Sequence, residues 1–100
     1  MDNIERLLND IKEDKDIWED RGKPIRFSGN FLQDVADVFE KHGFGVTKTF
    51  LLNRAGRSRV EALKLFRIIE KFQKVPEIMT NRGIGRSIIK SLETLKQMEV

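Results

Sequence analysis

The feature that most constrains the fold of this sequence is a broad apolar stripe at helical spacing between residues 57 and 72. Its members are Ala62, Leu63, Leu65, Phe66, Ile69 and Phe72. On a wheel of about 100° per residue they cover roughly half of the circumference, and charged residues occupy the opposite side. A helix with so wide an apolar surface must be contacted from two directions. The sequence therefore predicts a bundle in which other elements pack on both sides of residues 57–72.

The N-terminal segment predicts a helix over residues 2–19 with an acidic outer face. Its apolar side chains recur at intervals of three and four residues, at Ile4, Leu7, Leu8 and Ile11, with Trp18 two turns further. The sequence Arg-Gly-Lys-Pro at residues 21–24 then breaks the helix. Residues 25–28 follow as a short extended stretch, because the preceding proline disfavours helix there.

Three further helices are marked by the residues at their ends. One begins at Asn30, where Gln33 completes a capping-box pattern, and it terminates at Gly43. A short one begins with Pro76, which fits the first helical position, and the last one starts at Gly85. We therefore expect an all-α fold of about five helices.

Residues 46–60 leave two interpretations open. Thr47, Thr49 and Phe50 favour a strand, and residues 53–56 could turn a hairpin. That interpretation gives an α+β fold of the kind found in small nuclease-like or mobile-element proteins. The strong helical pattern that follows favours a helix over the same residues.

Charge divides the chain into an acidic helix over residues 1–20 and a basic helical domain over residues 21–100. The first part contains eight acidic and three basic residues, and the second contains 16 basic and eight acidic residues. Such an asymmetry is typical of proteins with a polyanionic partner.

Several classes of function are disfavoured by residues that the sequence lacks. It has no cysteine, and His42 is its only histidine, so we expect no metal site and no catalytic triad. It also has no Gly-rich phosphate loop, and we expect no cofactor. No apolar run is long enough to cross a membrane, and the N-terminus is unlike a signal peptide. These features predict a cytoplasmic protein that is not an enzyme.

Residues 75–95 carry a recognisable pattern around a glycine. Gly83 is followed by Ile84, by further apolar residues at Ile89 and Leu92, and it is preceded by the apolar pair at residues 78–79. This spacing resembles the helix-turn-helix of bacterial and archaeal transcription regulators. The resemblance implies a left-handed backbone at Gly83 and a sharp bend between two helices.

A second, weaker copy of the pattern lies upstream, at residues 46–60. Gly56 takes the turn position, residues 51–52 supply the apolar pair, and Arg57 stands where the family has an apolar residue. If both copies are present, they share the helix at residues 57–72. The two-stranded wing of winged regulators is missing, so the chain is a wingless form or a fragment of a longer protein.

The resemblance implies binding to double-stranded DNA, as a transcriptional regulator or as an accessory factor of replication or of a mobile element. The helix at residues 86–98 would read the major groove, with Arg86 on guanine and Ile88 on a thymine methyl. The side chains expected at DNA from this copy are Arg82, Arg86, Ser87, Lys90, Ser91 and Thr94. Those expected from the upstream copy are Lys48, Arg54, Arg57, Arg59 and Lys64.

A module of this size contacts few phosphates, so we also expect a homodimer or a protein partner, bound through residues 2–19. The alternative function is a helical adaptor that holds a protein of a replication or transcription complex. The two functions differ in a measurable way, because an adaptor would have no affinity for DNA at low salt.

Overall fold

The computed structural model describes residues 2–56 and 59–96 of the chain. Within this part the chain forms six helices and one short β-hairpin. The helices are α1 (Asn3–Glu13), α2 (Lys15–Trp18), α3 (Gly29–Ala55), α4 (Val60–Phe72), α5 (Pro76–Thr80) and α6 (Arg82–Leu95), and the strands are β1 (Glu19–Asp20) and β2 (Lys23–Pro24). The described residues are 81% helical, so the predicted all-α bundle is confirmed.

The N-terminal segment is two helices rather than the single one predicted over residues 2–19. Asp14 is extended, ends α1 and caps α2, where its carboxylate accepts a hydrogen bond from the amide of Asp16 at 3.0 Å. At the break the carbonyl of Ile11 accepts hydrogen bonds from the amide of Asp14 at 3.4 Å and from the Trp18 indole at 2.6 Å. A continuous helix would turn Ile17 away from the apolar stripe, whereas the break buries both Ile17 and Trp18.

The β-hairpin lies at residues 19–24, where the sequence predicted only a break. β1 and β2 pair antiparallel, and Arg21 and Gly22 form the loop between them with φ of 52° and 78°. Two positive φ angles in a two-residue loop are typical of a type I′ turn. The amide of Ile25 then donates to the carbonyl of Trp18 at 2.8 Å and extends the pairing by one bond.

The hairpin interpretation of residues 46–60 is wrong, because residues 46–55 continue α3 as a helix. Thr47 and Leu51, four residues apart, are both fully buried. The Thr47 hydroxyl donates to the carbonyl of Gly43 at 2.7 Å, so this polar side chain is satisfied inside the core. Of the residues that favoured a strand, Thr47 is therefore on the buried face of this helix, Phe50 is partly buried and Thr49 is exposed.

α3 is kinked at Gly43, which has φ 82° and ψ −168°. We call residues 29–42 the first arm of α3 and residues 44–55 the second arm. The predicted helix end at Gly43 is thus a sharp change of direction. The predicted capping box is wrong: Ser28 is the N-cap and makes no side-chain bond there, and the Gln33 amide donates to Asp37.

α4 is contacted from two directions, as its wide apolar stripe predicted, since it packs against α3 on one side and against α2 on another. Ala62, Leu65, Ile69 and Phe72 are fully buried, as is Ile68. Leu63 is the exception among the predicted apolar positions, because it is 53% exposed.

The predicted bend between the last two helices is present, but it lies at Asn81 and not at Gly83. Asn81 has φ −129° and ψ 86°, whereas Gly83 lies in the first turn of α6. Positive φ occurs among the described glycines at Gly22 and Gly43, so the left-handed conformation predicted at Gly83 is wrong. No helix of residues 2–56 and 59–96 has the length and apolarity to cross a membrane.

Candidate interaction surface

Arg86, which the resemblance placed on guanine, is held by two carboxylates of the first arm of α3. Its Nε lies 2.8 Å from Oε2 of Glu40, and its Nη2 lies 3.2 Å from Oδ1 of Asp37. The pKa of Asp37 is lowered, and the hydrogen bond from Gln33 is the largest cause; burial, the second-largest, opposes it, and the hydrogen bond and charge of Arg86 and the charge of Lys41 add to the lowering. The guanidinium is therefore committed to α3, and two acidic groups lie beside the outer face of α6.

The hydroxyl groups expected at DNA are used within α6. Ser87 donates to the carbonyl of Gly83 at 3.1 Å, Ser91 to that of Ile88 at 2.8 Å, and Thr94 to that of Ser91 at 3.1 Å. Ile88, expected at a thymine methyl, is only 6% exposed and belongs to the core. Ser87 and Thr94 still face outward, so their oxygens can accept bonds, but this surface offers little charge.

Two further cations of this region differ in exposure. Lys90 is exposed on the outer face of α6. Arg82 is half-buried, and its guanidinium lies over the kink of α3, where a Cβ atom added to Gly43 would stand 2.9 Å from Nη1. The outer face of α6 thus presents one fully exposed cation among its described residues.

The cations of the upstream copy of the pattern, at residues 48–64, are arranged differently from those of α6. Two of them are held by aromatic rings. Nζ of Lys48 lies 5.1 Å from the centre of the Phe44 ring and 5.0 Å from that of Phe66. The guanidinium carbon of Arg54 lies 4.9 Å from the Phe50 ring centre and 5.9 Å from that of Phe31. Cation–π contacts of this kind orient a charge and leave it free to meet an anion.

The remaining members of that set are partly or fully accessible. Arg59 is exposed and Lys64 is half-buried, whereas Arg57 lies outside the described residues. None of Lys48, Arg54, Arg59 and Lys64 forms an ion pair with a carboxylate of the described residues. In contrast, Arg67 and Lys71, further along α4, are both bound to Asp14.

The same two helices carry the exposed large apolar residues of the described chain. These are Val46 at 50%, Leu52 at 52%, Val60 at 37% and Leu63 at 53% exposure. The contact of Lys48 with Phe66 shows where the second arm of α3 lies against α4. Leu52 and Leu63 each lie one helical turn from this contact, on the side of the loop that connects the two helices. We call these four apolar residues, together with Lys48, Arg54 and Arg59, the apolar-basic face, whereas Lys64 lies in the row of Lys71 on the other side of α4 from Phe66.

The second arm gives this face an uncharged strip with a cation on each edge. The strip consists of the exposed residues Gly45, Val46, Thr49, Leu52 and Asn53. On the helical wheel Lys48 borders it on one side and Phe50 on the other, where the Arg54 guanidinium lies over the Phe50 ring. Next to it a shallow depression is lined by Gly45, Val46, Thr49, Phe50 and Asn53, where Gly45 contributes no side chain.

Acidic residues are missing from this part of the sequence. There is no Asp or Glu between Glu40 and Glu61. Glu61 itself is occupied, because its Oε2 accepts a hydrogen bond from the amide of Ser28 at 3.0 Å. The basic residues at positions 41–60 therefore have no acidic neighbour within that stretch of the sequence.

The apolar residues of the N-terminal segment are not free to bind a partner. Leu7, Ile11, Ile17 and Trp18 all belong to the hydrophobic core of this chain. The acidic outer face of α1 is what this segment presents to solvent, and a partner contact through residues 2–19 stays a prediction.

His42 is exposed, and no three His, Asp or Glu side chains of the described residues are grouped to hold a metal ion.

Sequence reasoning missed the apolar members of the apolar-basic face. Leu63 was assigned to the buried stripe, and Leu52 was read as one of a buried pair with Leu51. The signal that could have identified them is the width of the stripe, since a helix packed on two sides still leaves one edge uncovered.

Comparisons of the chain with protein families, curated proteins and solved structures found no match.

Proposed function

We propose that this chain is a helical interaction module whose apolar-basic face binds an acidic amphipathic helix of a partner protein. The observation that carries the proposal is that exposed apolar side chains and cations occur on the same pair of helices. All four large apolar side chains that the described residues expose lie on α3 and α4, and Lys48 and Arg54 of α3 have no carboxylate partner among those residues. Recognition of an amphipathic helix uses this combination of apolar anchors and flanking charge.

The apolar residues favour a protein partner over a nucleic acid. Burying a leucine side chain completely contributes about 1.5–3 kcal/mol, and Leu52 and Leu63 are each about half exposed before binding. A phosphate backbone offers them no apolar surface, because it is contacted mainly by cations and hydrogen-bond donors. An apolar stripe on a partner helix would remove both from water.

The cations favour an acidic partner. Lys48 and Arg54 stand on the two edges of the uncharged strip, so acidic residues on both sides of a partner's apolar stripe would meet them. The Phe44 and Phe50 rings beside Lys48 and Arg54 restrict the motion of these two side chains before binding, which lowers the conformational entropy that is lost in the complex. Complementary charge would also accelerate association and fix the orientation of the partner helix.

Binding to double-stranded DNA is the second candidate, and one observation favours it. The segment from residue 41 to residue 60 contains basic residues and no acidic ones, which would suit a polyanion. Groove reading by α6 is less favoured, because Arg86 is bound to Asp37 and Glu40. A role in transcription or replication is compatible with either partner.

The two candidates are separated by comparing a peptide with a duplex. The peptide probe is a designed helix with leucine on one face and glutamate on both flanks, and the duplex probe is a short DNA carrying a fluorophore. We expect the Leu52→Gln, Leu63→Gln double variant to weaken peptide binding by roughly 10- to 100-fold, as measured by fluorescence anisotropy. Both substitutions are at exposed positions, and an unchanged circular dichroism melting curve confirms the fold.

Lys90→Gln on α6 serves as the matched control and should leave peptide binding unchanged. Lys48→Gln should weaken it by a few-fold, and more at low salt than at high salt. If the peptide does not bind, or if the double leucine variant binds it like the native chain, the proposal is wrong. Tight duplex binding that is lost in Lys48→Gln and kept in the leucine variant would instead support DNA binding through residues 41–60.

A further inference from the structure

A second surface, on the side of the β-hairpin, encloses a cavity of about 530 Å³. It lies between α2 and the hairpin on one side and α6 on the other. Its apolar lining includes Trp18, Phe27 and Leu92, and the charged residues around its mouth include Lys15 and Arg26. Its volume falls within the range of about 300–1,000 Å³ that is usual for small-molecule sites.

The aromatic part of the lining is held rigidly. The Trp18 and Phe27 rings meet edge to face, with centres 5.6 Å apart. The indole N–H is bonded to the carbonyl of Ile11, so the ring contributes its apolar surface to the cavity. The bond from the amide of Ile25 to the carbonyl of Trp18 fixes the chain that carries Phe27. The cavity is therefore formed before any ligand binds.

The charged residues that line the cavity are three basic ones, Lys15, Arg26 and Lys96, and two acidic ones, Glu19 and Glu93, so its mouth has a small excess of positive charge. Lys15 and Arg26 are exposed, and neither forms an ion pair with the described residues. Of the two acidic residues there, Glu93 is turned towards the N-terminus of α3, where a Cβ atom added to Gly29 would collide with its carboxylate. The positive end of the α3 dipole stabilises that position. Glu19 is the other acidic residue of the lining.

We infer that this cavity binds a small molecule with a planar aromatic body and one carboxylate. The aromatic body would lie against the accessible edges of the Trp18 and Phe27 rings, where ring contacts add to the effect of burial. The carboxylate would lie at the mouth, between Lys15 and Arg26. The site shares no residue with the apolar-basic face, so this inference is independent of the proposed function.

The test uses naphthalene-2-carboxylate and its uncharged analogue naphthalene-2-carboxamide as probes. Trp18 is the only tryptophan of the chain, so its indole N–H gives one resolved NMR signal for the cavity. We expect that signal to shift on titration with the carboxylate, and the carboxylate to bind about five-fold more tightly than the carboxamide.

The Lys15→Gln, Arg26→Gln double variant should remove that preference and keep the weaker binding of the carboxamide. Lys23→Gln, an exposed residue of the same hairpin that does not line the cavity, is the matched control and should bind like the native chain. An indole signal that stays unchanged up to the solubility limit of both probes would overturn the inference. So would equal binding of the two probes by the native chain.

Discussion

Arg21 shows how a single residue can be in conflict with the backbone it occupies. Its φ of 52° lies in the left-handed region, which costs a residue with a Cβ atom about 1–2 kcal/mol. Gly22, the next residue of the loop, adopts φ 78° without that cost. The pairing of β1 with β2 maintains the turn, because this tight loop has the twist that suits antiparallel strands.

The residue-scale prediction follows from that strain. Asparagine tolerates the left-handed region and is the preferred first residue of a type I′ loop. Arg21→Asn should therefore raise the free energy of unfolding by about 0.5–1 kcal/mol, as measured by chemical denaturation with Trp18 fluorescence as the signal. Lys23→Asn, on β2, should not raise the free energy of unfolding. A variant at position 21 that is no more stable than the native chain would contradict the strain assigned to this loop.

At the scale of elements, Asp14 connects the N-terminal helices to α4. Its carboxylate lies 2.6 Å from Nε of Arg67 and 3.5 Å from Nζ of Lys71, and it also caps α2. Burial is the strongest single influence on the pKa of Asp14 and would raise it. The hydrogen bond and charge of Arg67, the amide of Asp16 and the charge of Lys71 together outweigh burial and lower the pKa.

The lowered pKa predicts how stability depends on pH. In the unfolded chain Asp14 has its ordinary pKa of 3.8, so its contribution is fully present above that pH. It is lost as the pH falls below 3.8 and through the lower pKa of the folded state. Asp14→Asn should therefore lower the free energy of unfolding by about 1–2 kcal/mol at neutral pH. In acid the difference in stability between this variant and the native chain should become smaller. Urea denaturation over a pH series measures both effects.

Asp10→Asn is the control for that experiment, since Asp10 is an exposed residue of α1. Its stability should follow the native chain across the whole series. If Asp14→Asn and Asp10→Asn show the same dependence on pH, the contacts of Asp14 with α4 do not contribute to stability in solution.

At the scale of the whole molecule, three helices meet at Gly85. A Cβ atom there would collide with the ring of Phe39 on α3 and would stand 3.0 Å from Cγ2 of Ile78 on α5. Phe39 is fully buried and packs edge to face with Phe72 of α4, with ring centres 5.5 Å apart. Gly85 therefore sets how closely α6 approaches the rest of the bundle.

Two glycine variants separate this packing role from helix propensity. Gly85→Ala should destabilise the fold by about 1–2 kcal/mol, because overpacking costs more than the roughly 1 kcal/mol that alanine gains in a helix. Gly83→Ala should change stability by no more than about 0.5 kcal/mol, since its Cβ atom meets only the exposed side chain of Asn81, at 3.3 Å. Thermal unfolding of both variants gives the comparison. Equal stabilities would contradict the close approach at Gly85.

The local patterns predicted most of the helices, and they failed where packing decides the outcome. The periodicity of residues 57–72 and the proline at position 76 were sufficient to place α4 and α5. The periodicity of residues 2–19 hid the break at Asp14, because the partners that stabilise it, Arg67 and Lys71, come more than fifty residues later. The glycine pattern at 83–85 was assigned to a turn, although Gly85 is there for close packing.

The candidate surface was predicted in part. The cations at residues 48–64 were selected from the sequence, and four of the five lie in the described residues without an acidic partner there. Their use by DNA stays a prediction. Arg86 was selected by the same reasoning, and its ion pairs with Asp37 and Glu40 were not visible, because those carboxylates lie on another helix.

The sequence by itself determined the helical class of this protein, the break at residues 21–24 and the positive charge of the stretch around residues 48–64. These properties depend on neighbours within a few positions, where backbone preference and side-chain spacing act. Only the tertiary structure decided which cations are neutralised, which leucines face solvent, and that a cavity opens beside Trp18. Those outcomes depend on contacts between residues that are distant in the chain, and such contacts form only when helices pack.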